Sequence, residues 1–186
     1  MLAGRYRQRM VTFHAFLGCS LDGFIAGPHG ELDWLTAFDS AGYDEFFSSI
    51  DALAMGRGTY EVMQHLAPDH YRGVPVHVLS TTLAPGPGPD MGRSAVTVHP
   101  DILSLRTALE DARAQRVYAD GGKTVQSFLA AGLLTDLTVT RVPVLIGEGI
   151  PLFGQVPRPL RARLVSSHAT DDGAVQSVYA FPVVTS

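Results

Sequence analysis

The segment YADGGKTVQSFL, residues 118–129, places two glycines ahead of a lysine and a threonine. Gly121, Gly122, Lys123 and Thr124 are residue types that can hold phosphate. Glycines let a ligand approach the backbone, and the first amides of a helix carry positive partial charge. The letters GKT also suggest the nucleotide-hydrolase loop G-x-x-x-x-G-K-[ST]. That pattern requires glycine where this chain has Val117, so a hydrolase of that type is excluded. The apolar run, glycine pair and helical spacing that remain suit a pyrophosphate at a helix start. A glycine pair can equally serve only to turn a strand into a helix. Lys123 is the only lysine among fourteen Lys and Arg residues. It is either the residue of an arginine-rich composition or a small, flexible charge that a planar guanidinium would not replace.

A second junction of the same kind is AMGRGTY, residues 54–60, in which Gly56 closes an apolar run. Arg57 can grip a phosphate through paired hydrogen bonds, and Thr59 can donate its hydroxyl. A third, VLSTT at residues 78–82, supplies Ser80, Thr81 and Thr82. Ligands of open parallel sheets collect beyond the carboxyl ends of the strands. Three such ends bearing glycines, hydroxyls, Arg57 and Lys123 read as a dinucleotide groove, although G-x-G-x-x-G occurs nowhere in the chain. Asp22, in SLDG, either supplies a proton or hydrogen bond beside a reacting ring or shapes its own turn. Trp34, in ELDWL, lines a substrate pocket or anchors a loop. Glu148 reads as a solvated turn residue, and Ile150 and Phe153 as packing or dimer contacts. The seven histidines show no HxH or HxxxH spacing and read as core or surface residues, and Cys19 reads as an inert buried thiol, so no metal site is expected.

The elements that must position these groups follow from pattern. Residues 11–19, VTFHAFLGC, form an apolar run expected as a strand buried on both faces. A loop over 20–30 follows, then a helix over 43–50 capped by Asp39 or Ser40. A strand over 52–55 stops at Gly56, and a helix over 57–66 ends at Pro68. Strands are expected over 74–79, 95–98, 116–119 and 135–142. Helices are expected over 101–114, capped by Asp101, and over 122–131, ended by Gly132. The Pro/Gly-rich stretch 84–94 reads as a surface loop. A terminal hairpin of 160–169 and 174–182 turns at Asp171-Asp172-Gly173. Strand–helix alternation ending in strands predicts an α/β fold, a three-layer αβα arrangement with a mostly parallel sheet and the antiparallel C-terminal hairpin at one edge.

At 186 residues and 46% apolar content the chain fits one domain, residues 11–186, behind a leader over 1–10 in which Met10 is an alternative start. A net charge of −4 argues against a nucleic-acid surface. One cysteine excludes a disulfide framework and a multi-cysteine zinc site. No apolar run approaches the roughly 18 residues of a membrane span. The N-terminus lacks a signal-peptide pattern, so a cytoplasmic location is expected.

The set SLDGFIAGPHGELDWL, MGRGTYE and VYADGGKTVQSFLAAGLLTDLTVTRVPVLIGEGIPLF resembles the dihydrofolate-reductase-like family, in the branch of the riboflavin-pathway reductase C-terminal domain. The resemblance runs from about residue 11 to residue 183 and implies a homodimeric, NADPH-binding reductase fold. Carried over by position, it implies that Gly56, Arg57 and Thr59 contact the phosphate end of NADPH and that Ser80 and Thr81 lie near the adenosine 2′-phosphate. It further implies that Gly121, Gly122, Lys123 and Thr124 cradle the pyrophosphate and that Ala15 and Ile25 border the nicotinamide. The deaminase zinc motif, which combines H-x-E with P-C-x-x-C, is absent because the chain has a single cysteine, so the reductase half alone is expected. The implied activity is NADPH-dependent hydride transfer to a small pterin- or pyrimidine-like heteroaromatic or to a carbonyl or imine. The alternative is a non-catalytic dinucleotide- or flavin-binding protein of the same fold.

Overall fold

A computed structural model describes residues 10–38, 41–154 and 159–182. The leader expected over 1–10 falls, Met10 apart, outside the described residues, as do the caps expected at Asp39 and Ser40. The strands are β1 (Thr12–Cys19), β2 (Phe24–Ala26), β3 (Ala52–Gly56), β4 (Val76–Leu79), β5 (Gly86–Met91), β6 (Ser94–His99), β7 (Arg116–Asp120), β8 (Leu134–Arg141), β9 (Ile150–Pro151), β10 (Arg163–Ala169) and β11 (Val175–Ala180). The helices are α1 (Tyr43–Ser48), α2 (Arg57–Leu66), α3 (Ile102–Asp111) and α4 (Gly122–Ala130). Among the described residues no helix is long and apolar enough to cross a membrane.

The main sheet runs β10-β11-β8-β1-β7-β3-β4-β6-β5, and β2 pairs separately with β9. From β8 to β6 every pairing is parallel. β11 and β10 extend it antiparallel at one edge, as expected of the hairpin. The apolar central strands alternate their side chains between two cores. Phe13, Ala15, Ala54, Val117 and Ala119 pack under Leu105 of α3 and Phe128 of α4. Phe16, Leu53, Met55 and Val78 pack on the other face with Phe47 of α1 and Tyr60 of α2. This is the three-layer α/β fold.

Two stretches read as loops contain strands. Within 20–30, β2 forms by pairing with β9. Within 84–94, β5 pairs antiparallel with β6, adding a second antiparallel edge opposite the hairpin. Its sequence GPGPDM is poor in strand formers, but an edge strand needs few amide donors and tolerates proline. Tyr60 of α2 donates its hydroxyl to the Pro89 carbonyl at 2.8 Å, and Met91 is fully buried, so packing rather than propensity holds the strand.

Candidate functional site

The chain reverses its direction of travel at the boundary between β3 and β7. From β3 it passes through α2 to β4, toward one edge; from β7 it passes through α4 to β8, toward the other. In a parallel sheet a crevice opens beyond the strand ends at such a switch point. Here the two junctions lie side by side, with Met55 paired to Asp120. α2 packs on one face of the sheet and α4 on the other.

The junctions interlock through hydroxyls and bare backbone. Gly121 has φ +87°, and a Cβ there would lie 2.2 Å from Thr59 Oγ1. A Cβ on Gly56 would meet Thr124 Oγ1 at 3.5 Å, and one on Gly122 would meet Ile25 Cδ1 at 2.6 Å. Each helix start therefore faces a threonine of the other, and β2 lays Ile25 over Gly122. Neither α2 nor α4 has a side-chain cap. Their first amides are left for water or a ligand, and the combination suits a pyrophosphate. Lys123 is exposed beside them.

Next to this lies a cleft of about 390 Å³ lined in part by Arg57, Ser80, Thr81, Asp101, Ile102 and Ser127. It thus gathers expected residues from two junctions. Arg57 is half exposed, with Nη1 3.5 Å from Glu61 Oε1. The Ser80 hydroxyl accepts from the Thr82 and Leu83 amides at 3.2 and 3.0 Å, building the turn that leaves Thr81 exposed. Asp101 caps α3 as expected, accepting from the Ser104 amide at 2.7 Å, and that bond holds its carboxyl below the ordinary range. Behind the cleft, His77 and His99 are buried with Nδ1 and Nε2 2.9 Å apart. Burial pushes His77 down to about 4 and lowers His99 as well.

The strongest acid–base feature is a residue to which the sequence pattern assigns no role. Asp120, the last residue of β7, accepts from the Tyr71 hydroxyl on one oxygen and from the Tyr118 hydroxyl at 3.2 Å on the other. Burial raises its carboxyl above the ordinary range in spite of these donors. Tyr118 also donates to the Phe16 carbonyl at 3.0 Å, and Tyr43 stands 3.0 Å from His70 Nε2 while packing edge-on to Phe16. A carboxyl raised in this way, directly before Gly121, can keep a proton and release it to a bound substrate. Its signal in the sequence is an acid placed between an apolar strand and a glycine pair.

The remaining candidates are spread out. Asp22 is exposed and accepts from Ser20 Oγ at 2.6 Å and the Gly147 amide at 2.8 Å. The Ser20 hydroxyl, ahead of the Gly147 amide, lowers its pKa. The geometry is that of a loop clasp, the turn-shaping alternative. Trp34 is part-buried, and its ring donates to the Glu31 carbonyl at 3.2 Å; beside it, Leu35 lies where a Cβ on Gly18 would be 2.7 Å away. These contacts anchor the loop over β1. Ala15 is fully buried in the core under α4 and presents no side-chain surface. Cys19 is buried, with its thiol pushed up by burial, consistent with an inert role.

A mixed, mostly parallel sheet with two interlocked helix starts at its switch point defines a dihydrofolate-reductase-like α/β protein. The chain belongs to the RibD C-terminal domain family, whose model matches residues 11–176. It is similar to a putative riboflavin biosynthesis protein from Shewanella sp. PV-4, at 30% identity and TM-score 0.81, covering 92% of this chain and 99% of that one. The fold is also that of the diaminohydroxyphosphoribosylaminopyrimidine deaminase/5-amino-6-(5-phosphoribosylamino)uracil reductase of Thermotoga maritima, at 15% identity and TM-score 0.69, covering 94% of this chain and 57% of that one. Dihydrofolate reductase of Enterococcus faecalis, complexed with NADP(H), shares the fold at 18% identity and TM-score 0.62, covering 91% of this chain and 96% of that one. Family membership supports an oxidoreductase in general.

Proposed function

We propose that the protein is an NADPH-dependent reductase of a small, pyrimidine- or pterin-like heteroaromatic substrate. The observation that carries this reading is the pair of helix starts without side-chain caps, interlocked at the switch point, where any side chain on Gly121 would strike Thr59. When bound, NADPH supplies a hydride. The residues around it bind, orient and protonate. The amides of Gly122, Lys123 and Thr124 and the hydroxyl of Thr59 hold the pyrophosphate, with Arg57 at its outer side. Ser80 and Thr81 meet the adenosine end. Ile25 and the β1 backbone at Ala15 border the nicotinamide and keep water from it. Asp120 gives a proton to the substrate atom beside the one that receives hydride, and the Tyr71 and Tyr118 hydroxyls stabilise the carboxylate that results. Asp22 and Trp34 hold the loop that closes over β1. The working unit is a homodimer, in the cytoplasm.

The test is titration of the purified protein with NADPH, followed by nicotinamide fluorescence. Saturable binding is expected, and Arg57→Ala is expected to weaken it by about 1–2 kcal/mol, since the guanidinium is half exposed. An unchanged dissociation constant removes Arg57 from the site. The absence of NADPH binding by the wild-type protein overturns the reading.

A further inference from the structure

We propose that Asp101 sets how far the adenosine end of the cleft distinguishes a 2′-phosphate from a free ribose hydroxyl, and that its carboxylate keeps NADPH from being strongly preferred over NADH. The inference rests on the dinucleotide reading above and names the specificity device of that same site.

Asp101 lines the cleft together with Arg57, Ser80, Thr81 and Ser127. Within that lining one cation therefore meets one anion. The cation is already partly answered, because Arg57 Nη1 lies 3.5 Å from Glu61 Oε1. The Thr82 and Leu83 amides, which could have faced a phosphate, are spent on Ser80 Oγ. The two histidines behind the cleft add no positive charge near neutral pH, since burial lowers both. Lys123 stands one turn before Ser127 on α4 and belongs to the pyrophosphate end. The anion, by contrast, is fixed. Asp101 Oδ1 is oriented by the Ser104 amide at 2.7 Å, and the same bond keeps the carboxyl ionised. A carboxylate has acceptor sites beyond the one used by the cap, and ribose hydroxyls can donate to them. A 2′-phosphate beside it meets like charge instead.

The experiment measures dissociation constants for NADPH and for NADH at low salt, with the wild-type protein, Asp101→Asn and Asp101→Ser. Both replacements are good helix caps, so α3 is kept, and thermal melting checks this. The wild-type protein is expected to bind NADPH more tightly than NADH, but by less than about tenfold. In both variants the preference for NADPH is expected to rise about three- to tenfold, an effect that shrinks at high salt. Asp111→Asn, at the far end of α3, is expected to leave the preference unchanged. An unmoved preference in both Asp101 variants, or an equal shift in Asp111→Asn, overturns the inference while the dinucleotide site stands. If the wild-type protein binds neither dinucleotide, the site reading falls and this inference falls with it.

Discussion

A carboxyl group enclosed by phenols at the end of a central strand changes how the protein responds to pH. Asp120 is raised chiefly by burial, so the native state holds its proton more tightly than the unfolded chain does. Stability contributed at this position is therefore greatest below the unfolded value of about 3.9. It declines as pH rises from there to the raised native value. Asp120→Asn keeps the shape and removes the charge. Its melting temperature is expected to gain on the wild type as pH rises through that window, while turnover falls by about two orders of magnitude or more if the acid donates to substrate. Parallel melting curves for the two proteins at every pH would show that burial exerts no such penalty. At this scale legibility was uneven. That Gly121, Gly122, Arg57 and the hydroxyls stand at strand ends could be read, because those junctions are local patterns. Asp120 could not be assigned a role, because its environment comes from Tyr71, 49 residues away in the chain.

At the level of elements, β4 and β6 carry the opposite pH signature. His77 sits at about 4 because burial disfavours the imidazolium, with His99 adding to the effect. A base lowered in the fold stabilises at pH above its unfolded value of about 6.5, and that stability is lost as pH falls toward the native value. The shift corresponds to roughly 3 kcal/mol at most. The charged groups nearest the pair act weakly against it, Asp101 raising His99. His77→Leu is expected to flatten the fall in melting temperature between pH 6.5 and 4, and an unchanged slope would place the acid sensitivity elsewhere. Because Asp120 and His77 pull in opposite directions over overlapping ranges, their effects partly cancel in the wild-type profile, and each substitution is needed to separate them. Most elements here were legible from periodicity, including the Asp101 cap, since buried parallel strands are continuous apolar runs. β5 was not, because GPGPDM forms a strand only through pairing with β6 and the grip of Tyr60.

For the whole molecule, the layer order and mostly parallel sheet followed from strand–helix alternation, and the third dimension supplied what alternation does not encode. That includes which junctions become neighbours and which apolar side chains stay outside. β10 is exposed along its length, and Leu164 and Val165 on it are 54% and 52% exposed, with Phe153 at 51%. A homodimer through this edge would cover Leu164 and Val165. Sedimentation velocity is expected to give a dimer, and Leu164→Arg with Val165→Glu a folded monomer. A wild-type monomer at micromolar concentration would exclude this interface.

The two edges of the sheet are also unlike each other. At β5, two of six residues are prolines, Pro87 and Pro89, which offer no amide hydrogen to an incoming strand. At β10 all seven residues have their amides. Of the two edges of the main sheet among the described residues, β10 is thus the one free of proline. Two copies joined at β10 by a two-fold axis would pair both proline-free edges and leave the proline-bearing β5 edges facing outward. Such a dimer would close on itself and would not lengthen through the main sheet.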